Sequence, residues 1–139
     1  MLGMLAIVSV GCGQERQIPA AMRNEKLLQL PPGATQLVRD QRGDTDAGIV
    51  AISSGAYIQT VIAAPQTTDE LTAYYLTVDP TLHKEPQSHG DALVSRSTQR
   101  TVEIAISDQP LRATNETAAR RGGPSTHAYA RVTVNKPAP

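Results

Sequence analysis

Thr67-Thr68-Asp69-Glu70-Leu71-Thr72-Ala73-Tyr74-Tyr75-Leu76-Thr77-Val78-Asp79-Pro80 is the stretch that decides the fold. Thr67 and Glu70 stand at the spacing of a capping box, in which the hydroxyl accepts from the amide three residues on and the carboxylate reaches back. Asp69 and Glu70 also suit the positive end of a helix dipole. Leu71, Tyr74, Tyr75 and Val78 then fall at i, i+3, i+4 and i+7, which is one apolar stripe. Pro80 ends the run, because its ring and missing N–H cannot continue a helix. A helix with a single apolar stripe has to be buried against something.

The segments on either side supply the partner. Before the helix, Thr35 to Asp40 reads as a strand, and Gln41 to Gly48 as a turn by composition. Ile49 to Ser53 and Ala56 to Ala63 flank Ser54-Gly55 as a hairpin with a glycine in its loop. The second of these strands offers Ile58, Thr60 and Ile62 to one face, and Tyr57, Gln59 and Val61 to the other. After the helix comes a polar loop, and then Ala92 to Ser97 and Arg100 to Ser107 form a second hairpin. Val102, Ile104 and Ile106 alternate with Thr101, Glu103, Ala105 and Ser107. The last strand repeats the scheme, with Ala128, Ala130, Val132 and Val134 opposite Tyr129, Arg131 and Thr133. Such alternation is the mark of a half-buried strand with one wet face. The expected fold is therefore α+β: an antiparallel sheet of about five to six short strands with one main helix on one face. A small β-sandwich is the alternative.

The domain is expected to span residues 34–134, with residues 135–139 as a disordered tail. Residues 12–33 are mostly polar, close on Pro31-Pro32-Gly33 and read as a tether, with a short helix after Pro19 as an option. At 139 residues there is room for one domain and a modest core. The chain has no Phe or Trp and four tyrosines, so that core is built from aliphatic residues with Tyr74 and Tyr75 among its largest pieces. Thirteen basic and thirteen acidic side chains cancel, so the total charge gives no reason to expect nucleic acid. Residues 13–90 carry a net −3 and residues 91–139 a net +3, an imbalance read as solvated surface charge.

The beginning of the chain points to an address. Leu2 to Val10 is an uncharged apolar run that ends in Gly11-Cys12-Gly13, and Cys12 is the single cysteine. It is too short for the ~18–20 apolar residues of a spanning helix. This start resembles the lipobox of bacterial lipoproteins, in which the cysteine thiol receives a diacylglyceryl group. Of the three positions before the cysteine, held by Ser9, Val10 and Gly11, the glycine matches the family pattern. No Lys or Arg precedes Arg16, although a secretory signal begins with a basic segment; a start upstream of Met1 would account for this. The resemblance implies that residues 1–11 are a signal-peptide-like segment and that Cys12 is the lipid attachment site. The domain would then sit on the extracytoplasmic side of a membrane, in the cell envelope. Two acyl chains anchor stably where one holds only marginally. Gly13 after the cysteine implies an outer-membrane address in a double-membraned host.

No chemistry-bearing motif in the chain is complete. His83-Lys84-Glu85 copies the opening of the zinc deaminases, but no cysteine follows Cys12 to complete that site. His83, His89 and His127 have no diagnostic metal spacing. Asp44-Thr45-Asp46 begins like a calcium loop, yet Gly48 and Gly55 stand where acidic or amide ligands are needed. Arg42-Gly43-Asp44 is a turn-favouring tripeptide found by chance. There is neither a G-x-S-x-G elbow nor an S-x-x-K. The expectation is a non-enzymatic binding or scaffolding module without a cofactor. A small envelope hydrolase or metal-dependent enzyme using His83, Asp91 or His127 is the alternative. The expected binding segment is Asp108 to Thr126, since a connection this long without firm secondary structure is usually either functional or disordered, disorder being the alternative. It carries Arg112, Arg120 and Arg121 with little acid, so an envelope protein or an anionic ligand is the expected partner, beside the membrane at Cys12. Within it, Asn115 to Arg121 has the makings of a short helix.

Overall fold

The computed structural model describes residues 18–43, 55–87 and 90–137. The apolar leader, Cys12, His89, the strand expected at Ile49 to Ser53 and most of the turn before it lie outside the described residues. The elements run α1 (Ala20–Arg23), a 3-10 turn (Lys26–Leu28), β1 (Thr35–Arg42), β2 (Tyr57–Ala64), α2 (Thr68–Val78), β3 (His83–Gln87), β4 (Gly90–Arg96), β5 (Thr101–Ser107) and β6 (Ala128–Asn135). The six strands form one sheet in the order β1-β2-β6-β5-β4-β3, with every pairing antiparallel. The chain thus builds a single mostly-β layer, rather than the two sheets of a sandwich.

The alternation read from the sequence sorts the sheet into two faces. On the first, Ile58 pairs with Val134 and Ile62 with Ala130, while Val102 and Ile104 of β5 extend the same apolar row. Helix α2 covers this face with Leu71 and Tyr75, both essentially fully buried. Its capping box forms as read: the Glu70 amide donates to Thr67 Oγ1 at 3.2 Å, and the Thr67 amide donates to Glu70 Oε1 at 2.9 Å. Tyr74 packs edge-on against Tyr75, with centroids 5.2 Å apart and planes at 74°. Among the described residues no helix is long and apolar enough to cross a membrane.

Three readings are corrected. Residues 18–30 are packed, not a tether: Ile18, Met22 and Leu27 are at most 1 % exposed and share the core with α2 and the sheet. The stretch looked polar because its exposed residues outnumber these few apolar anchors. It closes in a turn where the Ala34 amide donates to Pro31 O at 3.0 Å. Gly33 there takes φ +79°, a left-handed value suited to glycine after a proline. The second correction is β3, read as loop. His83-Lys84-Glu85-Pro86-Gln87 has no apolar alternation and contains a proline, which a sheet accepts at its edge, and β3 is an edge strand. Third, Asn115 to Arg121 is not helical. Asn115 turns its side chain sideways to the sheet instead of capping, and Arg112 Nη1 takes the Glu116 carbonyl. At the C-terminal end, β6 runs to Asn135.

One polar network ties the ends of the first face together. Arg100 Nε donates to Glu25 Oε1 at 2.5 Å, its Nη2 to Asp79 Oδ2 at 3.2 Å and its Nη1 to Ser95 Oγ at 3.0 Å. Glu25 caps the 3-10 turn and Asp79 caps the end of α2. The guanidinium therefore joins the N-terminal segment, the helix and the β4–β5 turn. All three charged side chains are at most 12 % exposed.

Candidate functional site

The second face is built around a buried amide. Gln59 projects from β2 away from the core and is 4 % exposed, so each of its polar groups requires a partner. Its Oε1 accepts from the Thr114 amide at 2.8 Å, and its Nε2 donates to Thr114 Oγ1 and Thr133 Oγ1, both at 3.0 Å. These bonds fasten the long connection between β5 and β6 across the sheet. Asn115 Nδ2 donates to Asp40 Oδ2 at 2.6 Å and to the Tyr57 hydroxyl oxygen at 3.0 Å, while that hydroxyl donates to Asp40 Oδ2 at 2.8 Å. Burial, and then the bond to Asp40, raise the Tyr57 phenol above its ordinary value. On the return path the Gly122 amide donates to the Tyr129 hydroxyl at 3.0 Å. A Cβ at Gly122 would lie 2.5 Å from the Cβ of Ala63, so the absent side chain is what lets the loop sit this close.

The connection is thus a roof over β1, β2 and β6 of this face. Beside it, over β4 and β5, the face opens into a cleft of about 270 Å³ lined by Gln59, Thr114, Thr133, Arg131, Glu103 and Asp91, among others. Arg131 Nη1 donates to the Arg112 carbonyl at 2.9 Å, which fixes the guanidinium at the cleft wall. Neither Arg131 nor Glu103 forms an ion pair among the described residues. The cleft therefore sets one positioned cation, Arg131, beside two carboxylates, Glu103 and Asp91, against a frame of satisfied polar groups. A second charged group lies at the far edge of the same face. Glu85 accepts from Arg96 Nη1, and from Nη2 at 2.9 Å, and its Oε2 lies 2.6 Å from His83 Nε2.

The three arginines expected to bind are all exposed, and two of them meet at Glu116. Arg120 donates to both carboxylate oxygens of Glu116, at 3.0 and 2.8 Å, and to Leu37 O at 3.1 Å. Arg112 holds the Glu116 carbonyl at 2.7 Å. Both shape the roof. Arg121 is exposed beside it. His83, Asp91 and His127 are dispersed. His83 lies on β3, whereas His127 precedes β6 and has its Nδ1 2.9 Å from the Pro65 carbonyl oxygen, with β4 and β5 between the two strands. Asp91 alone lines the cleft. Among the described residues no three His, Cys, Asp or Glu side chains gather as a metal site. Arg131 and Glu103 were not singled out from the sequence, although the alternation had placed both on the wet face. No family model, curated protein or solved structure matches this chain.

Proposed function

We propose that this protein is a lipid-anchored envelope protein whose domain is a non-enzymatic binding module, with the cleft on its second face as the ligand site. The observation that carries the binding reading is the roofed cleft itself. Gln59 and Arg131 hold its walls in place, and the Arg131 guanidinium has no carboxylate partner among the described residues. A pre-positioned guanidinium that is not in contact with Glu103 or Asp91 of the same cleft can take a carboxylate or another anion of the partner. Function carried on a connection that a rigid sheet positions is a common arrangement. Anchoring rests on the apolar run Leu2 to Val10 and on Cys12.

Two experiments separate the parts of this proposal. In detergent phase partitioning after expression in a bacterial host, the native chain is expected in the detergent phase and Cys12→Ser in the aqueous phase. Equal partitioning of both into water would remove the anchor. For the cleft, Arg131→Ala is expected to lose the partners recovered from an envelope extract, whereas Arg121→Ala retains them. The opposite pattern would return the site to the exposed part of the roof.

A further inference from the structure

The sheet is not closed along its whole length. β4 and β5 are seven-residue strands, yet their register runs only from Arg96↔Thr101 to Leu93↔Ile104. Gly90 to Ala92 pair with β3 alone, and Ala105 to Ser107 pair with β6 alone. A three-residue notch therefore lies inside the sheet. Two clefts flank it, one on each face: the site described above, and a second of about 190 Å³ toward α2, where Leu93, Ile104 and Ile106 form an apolar floor beside Asp69, Thr72 and Lys84. Both clefts share Asp91 and Ala92, the residues at the mouth of the notch.

The outer edges differ from this inner one. A bulge interrupts the register of β1 between Gln36 and Val38, and Arg120 donates to the Leu37 carbonyl there. β3 carries Lys84 and Pro86. Bulges, charges and prolines are the usual devices that prevent strand addition at an edge. The β5 side of the notch carries none of them over Ala105-Ile106-Ser107, and its strand is held straight by β6.

We infer that the notch between β4 and β5 receives one extended peptide segment of a partner protein, which pairs its main chain with Ala105–Ser107. This rests on the binding reading above and names its partner class. Main-chain pairing supplies affinity in such strand addition, and alternate side chains supply specificity. Here the alternation is set by the two clefts. Side chains turned toward α2 meet the apolar floor of Leu93, Ile104 and Ile106 with Lys84 and Thr72 at its side, and those turned toward the roof meet Arg131, Glu103 and Asp91. The recognised segment accordingly alternates apolar with polar residues and places an acidic one beside Arg131.

The test uses the full chain carrying Cys12→Ser and a displayed library of random linear peptides long enough for one strand, about ten residues. Selected peptides are expected to alternate in polarity and to slow amide hydrogen exchange at Ala105–Ser107 while leaving Leu37–Asp40 unchanged. Arg131→Ala is expected to weaken them by about tenfold, as for the loss of one hydrogen bond to a charged group. Overturning results would be the absence of any selected peptide, or protection confined to β1 or β3. If instead acetate or a free amino acid binds in an Arg131-dependent way and no peptide is selected, the cleft stands as a ligand site and the strand proposal falls.

Discussion

The two faces of the sheet are covered by opposite means. The first is closed by helices whose apolar side chains meet an apolar row, and it reaches full burial at Leu71, Ile58 and Val134. The second is covered by a connection without helix or strand of its own, held by Gln59, Asn115 and Tyr129 through directed hydrogen bonds. Apolar burial is non-directional and contributes most of the folding free energy. A hydrogen-bonded roof contributes less in net stability but fixes position, since each bond is worth only about 0.5–1.5 kcal/mol. The first face therefore carries the stability of the domain. The second carries a shaped polar surface, which is why the proposed site lies there.

The largest effect expected from a single substitution is at the clamp of the first face. Arg100→Ala leaves Glu25 and Asp79 buried without their shared cation, a change that costs about 3–5 kcal/mol and is read in chemical denaturation. Burial alone would raise the Asp79 carboxyl. The Thr81 hydroxyl and amide, with the charges of Lys26 and Arg100, outweigh it and hold that carboxyl below its ordinary 3.8. A depressed folded-state pKa contributes stability that is present above the unfolded value and lost as pH falls through the folded one. Acid unfolding of the native protein should therefore steepen below about pH 4, and Thr81→Ala, which removes the largest of the lowering contributions, should make that profile shallower, with Arg100→Ala changing it less. A native-like midpoint in Arg100→Ala would show that the clamp does not hold the first face together.

Next comes the core proper. Leu71→Ala removes the side chain of α2 that lies deepest against the sheet and should cost about 2–5 kcal/mol. The contrast with the second face is made by Gly122→Ala. The new methyl would collide with Ala63 and Thr126, a local overpacking worth about 1–3 kcal/mol. Its expected signature is faster limited proteolysis within residues 108–127, with the thermal midpoint falling less than in Leu71→Ala. Equal losses of midpoint with no new cleavage would mean that roof and core unfold as one, which would end the division of labour drawn here.

How far this division could be read from the sequence depended on range. The capping box of α2 and the alternation of β5 and β6 are local patterns, and they stand in the structure as read. The split of β2 into an Ile58/Ile62 side and a Tyr57/Gln59 side was equally local. β3 was missed because an edge strand needs no apolar face and tolerates Pro86. The short helix allowed after Pro19 stands as α1, but the packing of residues 18–30 was not legible, because Ile18, Met22 and Leu27 are too few apolar anchors to sustain a period. The clamp and the roof were beyond reach for a different reason. Arg100 meets Glu25 across 75 positions of chain and Gln59 meets Thr114 across 55. A buried charge is recognisable only once its partners are in place. The candidate site follows the same rule: Arg131 and Glu103 were assigned to the wet face, but which arginines the roof would engage was settled by contacts across the sheet.

The smallest expected effect sharpens the comparison most directly, because it isolates charge on the second face. Hydrogen bonds from Arg96 and then His83 lower the Glu85 carboxyl from 4.5 to about 2, and Glu85 in return raises the Arg96 guanidinium. The sign is the same as for Asp79: the interaction is present above the unfolded value and lost as pH falls through the folded one. Its setting is different. Arg96 and His83 are more than half exposed, where water and salt screen an ion pair and long side chains lose entropy in holding it. Carboxyl carbon shifts followed by NMR should show Glu85 titrating near 2 in the native protein and moving back toward its ordinary range in Arg96→Gln, while the thermal midpoint at neutral pH hardly changes. In Arg100→Ala the same measurement should show the reverse, a large fall in midpoint with the Glu85 titration unmoved. If Arg96→Gln lowered the midpoint as much as Arg100→Ala does, the exposed charges of the second face would be structural and not available to a ligand.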